Sequence, residues 1–367
     1  MSMITGSLGG GGMREESEPG AGGGAGAVLV GLLEAQADVG RVRADVARLA
    51  RSPRGRRHHP EEMVSAEKYV TGQLSRAGWR VTAAPFERRW VIGVSDSGGR
   101  LPIVRRLRLF RRLAGVNLLA ELPGSPSSGW VLIVAHLDSV ACGPGADDNA
   151  SGVAALLECA RLLAGLPDPP AVRLAVVDLE ELGKIGSGAL ARDADYVRGL
   201  DAVICLESVG TFSSAPQTQR MGGLGLLFRD VARQVKANQK RGDFVLAIAR
   251  RSTVPGARAL ASAAAALTAP LSVLVARDPR ADGWRGRLVT WALPILANLD
   301  RSDHGPFWNR GIPALMLTTT APFRNHHYHL AGDRPENVDH ARVTALAVAV
   351  AATAATREPW VRQSSRP

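Results

Sequence analysis

A chain of 367 residues, 46% hydrophobic and 22% charged, has globular composition and the length to bury a large core, as two domains or one large α/β domain with insertions. Three cysteines without framework spacing exclude a disulfide scaffold and suit a reducing compartment, and no apolar run reaches the roughly 18 residues of a membrane span. The net charge of +11 reads first as a compositional bias towards Arg and Ala, with attraction of an anionic partner the alternative; no nucleic-acid-binding motif accompanies it and aromatic residues are only 5%, so no nucleic-acid partner is expected.

Residues 1–26 are Gly-rich and aperiodic, and disorder is expected there. Within them, 1–12 reads as a vector-derived leader, which puts the natural start at Met13. The apolar stretch 26–33 lacks the basic start and cleavage site of a signal peptide, so a cytoplasmic location is expected. One folded unit is expected over 27–356, with 357–367 a flexible tail. From 27 to 50 apolar positions recur at helical spacing. Pro60-Glu-Glu opens a helix to Arg76, with proline and acids in its first turn. Residues 79–86 alternate as a strand. The insert at 88–115 is Arg-rich from Arg100 to Arg112; it fits a two-stranded insert or an amphipathic stretch that seeks a surface, a membrane included. Residues 116–122 read as a strand, and Asn149 or Ser151 caps a helix to about Ala164. A short helix follows 183–188. The region 211–301 mixes helices (222–238, 256–268) with strands (244–248, 271–275); because it interrupts the sheet order, it is expected to cover the site as a lid. The last helix spans about 335–356.

Four apolar runs lead into residues that can hold zinc. His136 follows 131–135, Glu180-Glu181 follow 172–177, Glu207 follows 202–206, and His329 lies a short loop beyond 312–317. If the runs are neighbouring strands, these residues gather along one sheet edge, where α/β sites form. Asp148 joins them from Gly145-Ala-Asp-Asp-Asn-Ala-Ser-Gly152. Helix capping accounts for one acid in that turn but not for Asp147 and Asp148 together. Asp138, two residues past His136, points the same way and can orient its ring. Adjacent carboxylates at 180 and 181 are costly when buried unless a cation offsets them; one can bind metal while the other serves as base. His326-His327-Tyr328-His329 fits either a solvated loop or a metal site, and its composition does not say which His binds. A Gly-x-Ser-x-Gly elbow, a phosphate loop and a dinucleotide fingerprint are all absent. Two His, three carboxylates and a spare Glu are the parts of a two-zinc hydrolase.

Ala135-His-Leu-Asp-Ser139, Pro144 to Gly152, Glu180 to Ser187, Ser302-Asp-His-Gly-Pro-Phe307, Gly311-Ile-Pro-Ala-Leu315 and Tyr328-His-Leu-Ala-Gly-Asp333 follow one another in a familiar order. Over about 60–356 the chain resembles the two-zinc (co-catalytic) aminopeptidase family, which is related to glutamate carboxypeptidase, the transferrin receptor and glutaminyl cyclase. The resemblance implies a three-layer α/β fold with a central mixed, mostly parallel twisted sheet flanked by helices. It makes 27–356 a zinc peptidase domain with two zinc ions per chain. It implies that Asp148 bridges both zincs, that His136 and Glu207 complete one site, and that Glu181 and His329 complete the other. It makes Glu180 the general base, has Asp138 orient His136, and aligns Tyr328 with a position that helps hold the oxyanion. It also implies a cis peptide at Asp148–Asn149. The expected activity is removal of an N-terminal residue from a peptide or small amide. Carboxypeptidase action, glutaminyl cyclisation and a metal-free scaffold are the alternatives. Glu207 stands where several relatives have Asp, Arg334 replaces the usual Thr after Asp333, and the Arg-rich insert has no counterpart. Lys184 occupies a usually apolar position; a cation there either binds a substrate carboxylate or points to solvent, and solvent is expected.

Overall fold

The computed structural model describes residues 22–98, 107–222, 224–356 and Trp360. The leader through residue 21, residues 99–106 of the Arg-rich insert and all of the tail except Trp360 lie outside the described residues. The strands are β1 (Arg80–Val94), β2 (Leu107–Glu121), β3 (Trp130–His136), β4 (Val172–Val177), β5 (Leu200–Glu207), β6 (Phe244–Ala249), β7 (Ser272–Arg277) and β8 (Ala314–Thr318). They form one eight-stranded sheet in the order β1-β2-β4-β3-β5-β8-β6-β7.

The four ligand-bearing runs are β4, β3, β5 and β8, contiguous at the sheet centre and mutually parallel. Their residues are almost continuously buried, as a parallel strand covered on both faces requires. Antiparallel pairings join β1 to β2, β2 to β4 and β6 to β8, so the sheet is mixed.

Helices α1 (Gly22–Glu34), α2 (Val39–Leu49), α3 (Pro60–Arg76) and α4 (Gly152–Ala164) precede α5 (Ile185–Leu190), α6 (Leu224–Leu227) and α7 (Arg229–Ala237). Then come α8 (Val254–Ala265), α9 (Trp284–Ala292), α10 (His304–Asn309), α11 (Ala321–Arg324) and α12 (His340–Ala355). Side chains alternate across each strand. Val131, Ile133 and Ala135 therefore pack with apolar residues of α1–α4, α8 and α12. Trp130, Leu132 and Val134 meet Leu190, Val231, Val235, Phe307 and Trp308 from α5, α7 and α10. Helix, sheet and helix make three layers. Among the described residues no helix is long and apolar enough to cross a membrane.

Some expectations change. Periodicity over 27–50 resolves into two helices, because Asp38 accepts the Gly40 N–H at 2.7 Å and starts a new one. Helix α1 begins at Gly22, inside the segment expected to lack order. The Arg-rich insert is two-stranded where it is described: β1 and β2 pair from Arg80↔Glu121 to Val94↔Leu107. Neither Asn149 nor Ser151 caps α4. Ser151 is already helical and its hydroxyl donates to Asp147 O (2.7 Å), while Asn149 is bound to β5. The region 211–301 is not wholly a lid, since β6 and β7 extend the sheet beyond β8. Their runs read as separate from the sheet because β6 reaches β8 across about 70 residues of chain, a pairing that local pattern does not encode.

Candidate metal centre

His136 is the last residue of β3 and Glu207 the last of β5; Glu180 and Glu181 follow β4 in a tight loop. Parallel neighbours bring these ends to one edge, and Asp148 enters from the turn before α4. His136 Nε2 lies 3.3 Å from Asp148 Oδ1 and 3.3 Å from Glu207 Oε2. His329 Nε2 lies 3.0 Å from Asp148 Oδ2 and 3.4 Å from Glu181 Oε2. Two ligand triads, His136–Asp148–Glu207 and Asp148–Glu181–His329, therefore share one carboxylate, with a different oxygen turned to each. All five expected ligands come together. Of the three His before His329 in the chain segment 304–327, His326 and His327 are exposed, and His304 is buried with its Nε2 against Leu299 O at 2.7 Å.

The residues fit divalent zinc. His136 Nδ1 donates to Asp138 O at 3.0 Å, which leaves the Nε2 lone pair facing the two carboxylates. Buried His136 Nε2 and Glu181 Oε1 have no hydrogen-bond partner among the described residues. Such atoms are costly in a core unless a cation takes them up. A donor set of imidazole and carboxylate is what zinc accepts.

Charge follows from that crowding. Burial, then Asp148 and Glu180, push the Glu181 carboxyl well above its ordinary range. Burial alone would raise Asp148 as well, but hydrogen bonds from His136 and His329 hold it below the usual carboxylate range. Burial opposes protonation of His136, and the acids led by Glu207 outweigh it and raise the imidazole. Glu180, beside the triads, is pushed well up by burial, with Asp303 and Glu207 adding to the rise against His136 and Lys184.

A buried frame fixes the ligands. Asp138 accepts the backbone N–H of Glu180 at 3.1 Å and of Glu181 at 3.0 Å, and lies 3.5 Å from His136 Nδ1. Asp333 accepts the N–H groups of Asp147 and Asp148 at 3.0 and 3.1 Å. Asp147 in turn accepts from Gly210 N, Thr211 Oγ1 and Asn325 Nδ2. The Asp148–Asn149 peptide is cis. Asn149 is held by Leu206 O (2.9 Å) and Ser208 N (3.0 Å). Gly145 has φ 61°, and a Cβ there would lie 2.2 Å from Asp148 O, so the turn requires glycine. Tyr328 stacks on His329, ring centroids 3.9 Å apart, and lines the cleft above Asp148 and Glu207.

Several contributors lie outside the residues singled out for chemistry. Arg54 is buried and donates to the carbonyls of Leu49, Leu137, Pro144 and Gly145. It reads in sequence as one Arg of a basic loop. Ser302 Oγ donates to Glu207 Oε2 at 2.6 Å. Lys184 does not point to solvent: it is half-buried at the cleft and its Nζ donates to Asp300 O at 2.7 Å.

Fold and cluster together have the donor set and sheet-edge placement of a candidate metal site. The sequence model of peptidase family M28 matches residues 117–276. The chain is 32% identical over 241 residues to the uncharacterized protein YfbL of Escherichia coli (strain K12), covering 62% of this chain and 66% of that one. It is 45% identical over 86 residues to the probable lipoprotein aminopeptidase LpqL of Mycobacterium tuberculosis, 23% of this chain and 16% of that one. The matched stretches thus span less than two thirds of these relatives' lengths. The solved aminopeptidase from Aneurinibacillus sp. strain AM-1 superposes with a TM-score of 0.58 at 15% identity, over 88% of this chain and 94% of that one. Porphyromonas gingivalis glutaminyl cyclase superposes at 0.59 and 18% identity, over 86% and 97%. At such identities the likeness is one of fold.

Proposed function

We propose that the protein is a zinc-dependent aminopeptidase that holds two zinc ions per chain and removes the N-terminal residue of peptides. The observation that carries this reading is the pair of ligand triads meeting at Asp148, with the uncommitted Glu180 beside them. His136, Asp148 and Glu207 would hold one ion; Asp148, Glu181 and His329 the other. Bound zinc supplies Lewis-acid polarisation of the scissile carbonyl and acidifies a water. Glu180, which no ligand role uses, would accept a proton from the attacking water and pass it to the departing amine. Asp138 positions Glu180 through the backbone and His136 through the ring. Burial, then Asp148, Glu181 and Glu207, hold the Tyr328 hydroxyl well above its ordinary range, so it stays a donor able to meet the carbonyl oxygen.

Beside the cleft lies a cavity of about 320 Å³ lined by Leu227, Leu246, Ile248, Leu299, Met316 and Phe323. It shares Glu207, Arg301 and Tyr328 with the cleft, which suits an apolar side chain next to the scissile bond. The names of the M. tuberculosis relative and the Bacillus subtilis aminopeptidase YwaD support action at the N-terminus. A cytoplasmic location belongs to the same proposal, supported by Cys142, Cys159 and Cys205 all being free.

The test is a digest by zinc-loaded protein of peptides with free and blocked ends, read by mass, alongside the zinc-to-protein ratio. A ratio near two and stepwise loss from a free N-terminus are expected. Shortening from the C-terminus, or loss of ammonia from N-terminal Gln without cleavage, would replace the aminopeptidase reading with one of its rivals.

A further inference from the structure

A second cavity, of about 370 Å³, opens on the other flank of the metal cleft. It shares Gly183 and Lys184 with the cleft and no lining residue with the apolar cavity. Its walls carry Lys184, Arg192, Arg287 and Arg310, against a single acid, Asp300. That acid does not neutralise them. Both Asp300 oxygens accept from Arg280, at 2.7 and 2.8 Å. Among the described residues Lys184 and Arg192 reach only backbone carbonyls, those of Asp300 and Gly188. Arg287 and Arg310 are exposed and make no ion pair among the described residues. Burial and the charges of Arg88 and Arg310 depress the Arg192 guanidinium, the mark of cations crowded without a counter-charge. Like charges gathered in one concavity repel each other, and an anion seated among them relieves that repulsion.

The three spaces therefore run in sequence: apolar cavity, metal cleft, basic cavity. A peptide with its scissile bond at the metals and its first side chain in the apolar cavity sends the leaving fragment past Lys184. We propose that the basic cavity is a subsite for a carboxylate on that leaving fragment, so that the protein selects short or acidic peptides. The carboxylate is either the C-terminal group of a dipeptide or an acidic side chain at the second position. Arg287 and Arg310 offer planar, paired donors for it, and Lys184 a point charge nearest the cleft. This inference rests on the aminopeptidase reading.

Three peptides separate the sources: Leu-Asn amide, which is neutral there; Leu-Asp amide, with an acidic side chain; and Leu-Asn with a free C-terminus. Zinc-loaded wild type is compared with Arg287→Gln/Arg310→Gln, whose changes lie on exposed side chains. At least one carboxylate-bearing peptide should show a KM about three- to tenfold below the neutral one, with similar kcat. The gap should close in the variant and shrink at about 0.5 M salt. Equal KM values in the wild type, or a gap that survives in the variant, would overturn the proposal. Calorimetric titration with acetyl-aspartate reads the subsite without turnover. Weaker binding to the variant supports the proposal, and equal or absent binding refutes it. If no peptide is cleaved yet acetyl-aspartate binding depends on Arg287 and Arg310, the peptidase reading fails and the anion site stands.

Discussion

Asp138 Oδ2 accepts the backbone N–H of Glu181 at 3.0 Å. Its other oxygen takes the N–H of Glu180 at 3.1 Å and lies 3.5 Å from His136 Nδ1. One carboxylate therefore fixes the backbone of Glu181 and of Glu180, while the main-chain carbonyl of the same residue holds the His136 imidazole. Asp138→Asn keeps the shape but turns an NH₂ group toward one of those donors. Turnover or zinc affinity should fall about 10- to 100-fold, as loss of such outer partners does. Zinc titration and steady-state kinetics on the same sample read both.

Glu180 makes no ligand contact in either triad. Glu180→Gln should keep about two zinc ions per chain while lowering kcat about 10²- to 10⁴-fold. Loss of zinc in this variant would make Glu180 a ligand; unchanged kcat would remove it from the proton transfer.

Arg54 is 1% exposed and joins the end of α2 to the loops after β3. Burial lowers its pKa to about 10, which still leaves it charged at neutral pH. Arg54→Met would take a donor from four carbonyls, leaving those of Leu49 and Leu137 unpaired in the core, while Gly145 O keeps the Ala150 N–H and Pro144 O is part-buried. Urea unfolding should show a loss of about 3–5 kcal/mol, given about 1–3 for each buried group left unpaired and partial relaxation. A loss under about 1 kcal/mol would mean that water replaces the guanidinium.

Burial, then the charge of Asp138, lift Asp178 to about 7, against the pull of Arg56. Its ordinary value is 3.8, so the folded state holds the proton more tightly than the unfolded chain. Its contribution to stability is complete below about pH 4 and fades as pH rises through about 7. Between those limits Asp178→Asn should lose stability with rising pH less steeply than the wild type, in urea melts of chelator-treated protein. A steeper fall in the variant would reverse the assignment.

The candidate ligand set was readable because His136, Glu181 and Glu207 end or follow apolar runs that fold as parallel central strands, which end together at one edge, where the loops carrying Asp148 and His329 also lie. Helix α3 was readable to its ends from Pro60 and the acids after it. Less local features were hidden. Asn149 suited a helix cap by residue type, yet its side chain is used by Leu206 and Ser208, more than fifty residues away. β6 and β7 looked like parts of a lid because their place beside β8 depends on tertiary pairing. Arg54 resembles Arg51 and Arg57 in sequence, and only burial distinguishes it. Lys184 looked like a solvent-facing residue because the Asp300 carbonyl that receives it is contributed by a distant segment.

The turn that carries Asp148 is tied down by segments that come later in the chain. Asp147 is gripped by Gly210, Thr211 and Asn325, and its neighbour's amide is received by Asp333. His329 belongs to the same late segment. A nascent polypeptide emerging from the ribosome thus carries most of the sheet long before it can assemble a working centre. A fragment that stops short of Asp333 lacks the carboxylate that receives the amides of Asp147 and Asp148.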